Sequence, residues 1–290
     1  MKKLKSIWLK LCLICFLLGA VLTAAGFGMG AGKYMNSSDQ KNGGNEEATF
    51  QESYVSVENL AVSLAYTELE IKEGENISVS GIGIKKQNVE IEYDDKTLKI
   101  HTKKHNFLDG FGVNWENGLN IGFSNQNSSK IVLTIPRGAK FNNVSLEVGA
   151  GTLGAEKIDC RNLTVSVGAG EGIMKNISAG NAEIEVGAGT LNLQNMSADT
   201  VELECGMGKL IMDGSVKERC SVDCGMGDID LKLAGDIAEY RYSVDCGMGT
   251  VKINEDDYSG MGTEKKGGDG EKALELGCGM GNINVEIRQP

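Results

Sequence analysis

Proline and aromatic residues are scarce in this sequence: 2 of its 290 residues are proline and 6% are aromatic. With so little proline, and no Gly-X-Y triplet behind its 40 glycines, the chain is not collagen-like. Basic residues are also in deficit, 29 Lys and Arg against 40 Asp and Glu. Four of the lysines (Lys2, Lys3, Lys5 and Lys10) precede residue 33, so residues 33–290 carry 25 basic and 40 acidic side chains, a formal charge of −15. That sign repels phosphate backbones and excludes nucleic acid as a partner. It fits solubility, repulsion from anionic lipid head groups, or cation binding. Chemistry-bearing motifs are missing too. No nucleophile–base pair stands out, the Gly-x-Gly copies lack the strand-to-helix context of a phosphate loop, and no C-x-x-C pair occurs among the cysteines beyond residue 33. The expectation is a protein that is not an enzyme and uses no cofactor.

What is present is glycine among apolar residues, which form 41% of the chain and are too many for a disordered polymer. Such a composition suits short strands joined by tight corners, where glycine takes positive φ at little cost. Residues 11–31 read LCLICFLLGAVLTAAGFGMGA, 21 residues without a charge. At about 1.5 Å per residue this run crosses a hydrocarbon core of roughly 30 Å. The preceding lysines set the N-terminus in the cytoplasm and the bulk of the chain outside. Small residues from Thr23 to Ala25 offer a cleaved signal peptide as the competing reading. The apolar run continues past them, which favours an uncleaved, single-pass anchor. Residues 1–32 are thus read as a basic end and membrane anchor, 33–50 as a polar linker, and 51–290 as an extracytoplasmic domain.

Within that domain a segment recurs. VSLEVGAGTL starts at Val144, LTVSVGAGEG at Leu163, AEIEVGAGTL at Ala182 and VELECGMGKL at Val201. CSVDCGMGDI follows at Cys220, YSVDCGMGTV at Tyr242 and LELGCGMGNI at Leu274. The glycine pairs are Gly149 and Gly151, Gly168 and Gly170, Gly187 and Gly189, Gly206 and Gly208, Gly225 and Gly227, Gly247 and Gly249, and Gly279 and Gly281. Four successive spacings are 19 residues, followed by 22 and 32. Apolar and polar residues alternate before each pair, as Val201, Leu203 and Cys205 do against Glu202 and Glu204. That period of two marks a half-buried strand. A second alternating run follows the glycines, and a third apolar point (Ile158, Ile177, Met196, Val216) closes most copies. One copy cannot bury its own apolar face, but copies stacked about 4.8 Å apart make a continuous core. The expected fold is all-β, a parallel β-solenoid (β-helix) of roughly 19-residue coils with Gly-x-Gly corners. Residues 144–290 hold the seven repeats. Residues 51–143 are irregular first coils or an edge-protecting cap, and 103–130 and 254–272 are polar loops.

The run KIVLTIPRGAKFNNVSLEVGAG at 130–151, the run YDDKTLKI at 93–100 and the VGAG series resemble the bacterial putative-adhesin family, domain-of-unknown-function family 4097. The resemblance covers roughly residues 55–287. It implies a β-solenoid of the cell envelope with no demonstrated chemistry, and it offers no functional residue to carry over. This chain departs from the family pattern in its later copies, where CGMG replaces VGAG.

Four sets of side chains are candidates for a site. Cys205, Cys224, Cys246 and Cys278 occupy the inward position that Val148, Val167 and Val186 hold in earlier copies, and there Cys acts as a small hydrophobe. In-register parallel strands hold their Cβ atoms too far apart for disulfides. The sharper reading adds Met207, Met226, Met248 and Met280 to make a soft-metal column. Glu147, Glu185, Glu204, Asp223 and Asp245 form an outward acidic column, solvated or bridged by calcium. His101 with His105, and Asp228 with Asp230, are weaker temptations. Last, Phe107, Phe111, Trp115 and Phe123 lie in one loop, either a cap or a patch for a partner or carbohydrate.

These readings converge on a membrane-anchored, cell-surface binding or structural protein, its partner an envelope protein or glycan. The alternative is a non-enzymatic accessory component of an envelope-stress sensing complex.

Overall fold

The computed structural model describes residues 50–102, 111–114, 120–123, 129–260 and 263–289. Glu47–Pro290 forms one compact unit. Among the described residues no helix is long and apolar enough to cross a membrane. The anchor expected over 11–31 lies outside them.

The alternation seen in the sequence becomes an alternation of burial. In Thr190–Cys205, the inward residues Leu191, Leu193, Met196, Ala198, Val201, Leu203 and Cys205 are all buried. The next rung, Lys209–Cys224, pairs parallel to it with Leu191 opposite Leu210 and Cys205 opposite Cys224. A repeat of 19 residues therefore places like on like, and each inward position becomes a column of one core. The short strands expected within a coil are fused: Glu171–Val186, Thr190–Cys205 and Lys209–Cys224 each run 16 residues and bend on the way.

The bends reveal a corner chemistry that the glycines alone did not announce. At one bend Asn176 and Asn195 take φ of 54° and 56°, a left-handed conformation that Asn tolerates better than other side chains. Asn195 Nδ2 donates to Asn176 Oδ1 at 2.7 Å. At the other bend a second ladder climbs the stack. Asn143 donates to Asn59 (2.7 Å), Asn162 to Asn143 (2.9 Å), Asn181 to Asn162 (3.0 Å) and Thr200 to Asn181 (2.7 Å).

The Gly-x-Gly corners turn out to need glycine for a reason other than the expected one. None of them has positive φ; among the described residues the glycines that do are Gly83, Gly138, Gly235, Gly260 and Gly268. Their constraint is closeness. A Cβ on Gly189 would lie 2.2 Å from the Gly170 carbonyl oxygen, and one on Gly170 would lie 2.1 Å from that of Gly151. Each corner rests its Cα directly on the rung beneath, and no side chain fits between them.

Rung order in space departs from rung order in sequence at both ends. Lys272–Cys278 inserts between Lys209–Cys224 and Tyr240–Cys246, pairing parallel with both. Asn282–Arg288 does the same between Asp228–Ala234 and Thr250–Ile253. At the other end Asn59–Leu64 lies between Thr97–Thr102 and Phe141–Val148. Two proper rungs are covered by antiparallel strands: Val89–Asp94 on Thr97–Thr102, and Ile77–Ile82 on Lys130–Pro136. Phe50–Tyr54 then pairs with Ile77–Ile82, where the Phe50 ring fills the space left by Gly81.

The segment 254–272, expected as a loop, carries the cap of the far end. Thr263–Gly267 runs antiparallel along Tyr240–Cys246, and Asp256–Asp257 along Thr250–Ile253. Antiparallel closure at each end blunts what would be open parallel edges. One further correction concerns Val216, which stands opposite Ala198 and not in the Ile158–Ile177–Met196 column. Register slips after Leu193 put Gly214 opposite Met196 instead. A Cβ at Gly214 would fall 1.9 Å from the Met196 carbonyl oxygen.

The corner constraint separates two glycines that look alike in sequence. Gly189→Ala forces overpacking against backbone and lowers stability by about 1–3 kcal/mol. At Gly154 the nearest atom to an added Cβ is 3.8 Å away, so Gly154→Ala stays within about 0.5 kcal/mol of the parent. Thermal melts of the two variants check this. Equal melting temperatures would contradict it.

Candidate functional site

Strands entering the glycine corner present their outward residues as columns. One column runs Glu147, Ser166, Glu185, Glu204, Asp223, Gly277 and Asp245 in spatial order. Beside it Glu183, Glu202, Ser221, Glu275 and Ser243 form a second. The expected acidic column exists, and the interleaved rung gives its break at Gly277 a geometric setting. The Asp223 carboxylate lies where a Gly277 Cβ would be, 2.2 Å from that position at Oδ1. Two hydroxyls meet the column: Ser63 Oγ donates to Glu147 at 2.8 Å and Ser166 Oγ to Glu185 at 3.5 Å.

Among the described residues, Arg219 pairs with Glu275 at 2.7 Å, but no cation is within ion-pair distance of Glu183, Glu185, Glu202, Glu204 or Asp223. Partial burial and then the charges of Glu202, Glu185, Asp223 and Glu183 raise the Glu204 pKa above the usual carboxylate value. An open groove of about 590 Å³ runs here, lined by Glu185, Glu204, Asp223, Asp245 and the corner glycines.

The face leaving the corner is different, because it mixes acidic and basic residues and some of them meet across rungs. Lys209 Nζ lies 3.0 Å from Asp230, and Asn282 donates to Asp228 at 2.7 Å. Asp228 and Asp230 therefore each make a contact across rungs.

The cysteines stack in the order Cys205, Cys224, Cys278, Cys246. All described cysteines are free and buried. Cys224 and Cys278 donate to the Gly227 and Gly281 carbonyls at 3.1 Å, and Cys246 to Gly249 at 3.3 Å. Burial pushes Cys278 up to about 11 and Cys160 and Cys220 up to about 12. These are protonated thiols at neutral pH. The methionines stand on the other side of the backbone, 54–65% exposed. Thiols and thioethers therefore form two columns separated by the corner, and not the single mixed column expected.

His101 faces Glu90 across an antiparallel pair, with Nε2 3.7 Å from the carboxylate, and Glu92 lies close enough for all three ligand atoms to fall within 4.8 Å. His101 is in the strand Thr97–Thr102; His105 lies outside the described residues. The expected aromatic loop is in part a hairpin. Phe111–Asn114 and Asn120–Phe123 pair antiparallel, Phe111 opposite Phe123. Phe107 and Trp115 lie outside the described residues.

The Toastrack DUF4097 family model matches residues 57–285. This chain belongs to that family. No curated protein matches it. The Toastrack chain is similar to several solved structures at low identity. One is a putative cell adhesion protein from Clostridium sporogenes ATCC 15579, 14% identical over 82% of this chain and 98% of that one, with a TM-score of 0.35. A putative adhesin from Parabacteroides distasonis ATCC 8503 is 13% identical over 84% and 98%, TM-score 0.44. A putative lipid binding protein from the same organism is 15% identical over 85% and 98%, TM-score 0.47.

The electrostatics of the acidic columns are open to a direct check. Glu204 is held above its ordinary pKa, so its ionisation costs folding free energy that is present at neutral pH and absent once pH falls below about 4.3. Glu204→Gln is expected to raise the melting temperature near pH 7, by the equivalent of about 0.2–1 kcal/mol. The gain disappears near pH 4. A lower melting temperature at neutral pH would show that Glu204 makes a favourable contact instead.

Proposed function

We propose that this chain is a non-enzymatic binding protein of the bacterial envelope, anchored by residues 11–31 with its β unit outside the membrane. Its acidic columns would meet a cationic or polar envelope protein or glycan. The observation that carries this reading is the asymmetry between the two faces. The face leaving the corner mixes both signs of charge, with Lys209 paired to Asp230 across rungs, while the entering face keeps Glu183, Glu185, Glu202, Glu204 and Asp223 without an ion-pair partner among the described residues. Like charges in register cost stability. A face that retains them is set to receive positive charge from elsewhere. Membership of the Toastrack DUF4097 family is consistent with this, since the rigid stack is a scaffold that displays side chains at fixed intervals.

The test is binding of the full chain to two sets of surfaces: wall and membrane fractions of the producing organism, and foreign cells and glycans. Binding is expected to weaken as salt rises. It should fall about tenfold or more in a variant carrying Glu185→Gln, Glu204→Gln and Asp223→Asn. Capture of self fractions alone makes the protein an organiser of its own envelope, and capture of foreign surfaces makes it an adhesin. Salt-independent binding that survives the triple substitution would remove the acidic face from the account.

A further inference from the structure

Within the repeat, two positions change together. Where the inward residue before the corner is Val (Val148, Val167, Val186), the residue between the glycines is Ala; where it is Cys, that residue is Met. The four Cys-Gly-Met corners form one uninterrupted block, in which the terminal rung is interleaved. Met207, Met226, Met280 and Met248 follow one another up the stack. Their backbone amides donate to Gly187, Gly206, Gly225 and Gly279, each at 2.7 Å. Their side chains are 63%, 55%, 54% and 65% exposed. Among the described residues nine large apolar side chains are exposed, and four of them are these.

We propose that this methionine ladder is a binding site for a soft monovalent cation of the Cu(I) or Ag(I) class. Thioethers are soft, neutral ligands that select such ions over hard divalent ones. Rungs about 4.8 Å apart suit the geometry. Metal–sulfur bonds of about 2.3 Å place two sulfurs roughly 4.6 Å apart across a linear ion. Methionine's three rotatable bonds let a third sulfur converge where needed. The backbone register holds the four side chains in line while their ends remain free to move. Neighbouring carboxylates on the entering strands, Glu204, Asp223 and Asp245, supply negative potential without competing as soft ligands. An apolar docking ridge would be served equally by the Leu, Ile and Val that fill the core columns, yet all four positions are thioethers. The cysteines are set apart from this site, because their side chains are buried on the inner side of the corner, where Cys224, Cys246 and Cys278 donate to corner carbonyls.

The test titrates the full chain in detergent micelles, without chloride or thiols, with Ag(I), and anaerobically with Cu(I) held by a chromophoric competitor. Methionine-methyl NMR is the second readout. A variant with Met207→Leu, Met226→Leu, Met248→Leu and Met280→Leu keeps volume and removes only sulfur; its melting temperature verifies the fold. The wild type is expected to bind about tenfold or more tighter than this variant, with the four ladder methyl resonances shifting on Ag(I) addition. A variant with Cys205, Cys224, Cys246 and Cys278 all changed to Val is expected to keep that affinity. Equal Ag(I) affinity in the wild type and the Leu variant overturns the proposal. So does binding that survives in the Leu variant and disappears in the Val variant, which would move the site to the thiols.

Discussion

The contact on which the structure depends is the seating of each glycine corner on the carbonyl of the rung beneath. Gly187 donates to Val167 at 2.9 Å, Gly206 to Val186 at 2.8 Å and Gly225 to Cys205 at 2.8 Å. A Cβ on the second corner glycine, at Gly189 or Gly208, would fall 2.2 Å from the carbonyl oxygen beneath, so the corner allows one register and no neighbouring one. A slip of one residue would exchange the buried and exposed faces of every strand. The corner thus fixes all other columns at once, the apolar ones inside and the polar ones outside.

From that constraint follows a division of labour between the two sides of the backbone. Inward columns such as Val62, Leu146, Val165, Ile184, Leu203, Val222, Leu276 and Val244 are continuous and buried. Stability comes from this column packing and from the asparagine ladders at the bends. Outward columns are then free to carry chemistry, because their spacing is already set by groups they do not touch. The acidic columns and the methionine ladder are two results of the same geometry. One is a field of charge on a flat face, and the other is a line of sulfurs along an edge.

Much of this was legible in the sequence, for a physical reason. A 19-residue period states which residues share a column, so the buried cysteines, the outward acids and the glycine corners could be assigned before any coordinates. Rung order could not. Every rung offers the same backbone edge and nearly the same apolar face, and nothing in Leu274–Ile287 says that it stacks between Cys224 and Cys246. The far cap was hidden because Thr263–Gly267 and Asp256–Asp257 are short polar edge strands whose composition reads as loop. The reason for glycine at the corners was misjudged, since close approach and positive φ leave the same letter. The asparagine bends were missed although Asn143, Asn162 and Asn181, and Asn176 and Asn195, repeat at the same interval of 19; aligning the copies by their polar residues would have found them.

The most direct test of the stacking is the distance between exposed corner positions. Spin labels at Met226→Cys paired with Met280→Cys, and at Met226→Cys paired with Met248→Cys, would be introduced with the native cysteines replaced. The first pair is one rung apart, about 4.8 Å, and the second two rungs, about 10 Å. Interleaving therefore predicts the stronger spin–spin broadening for Met226 with Met280, although Met248 is nearer in sequence. Stronger broadening between Met226 and Met248 would contradict it and would mean that the rungs stack in the order in which the chain presents them.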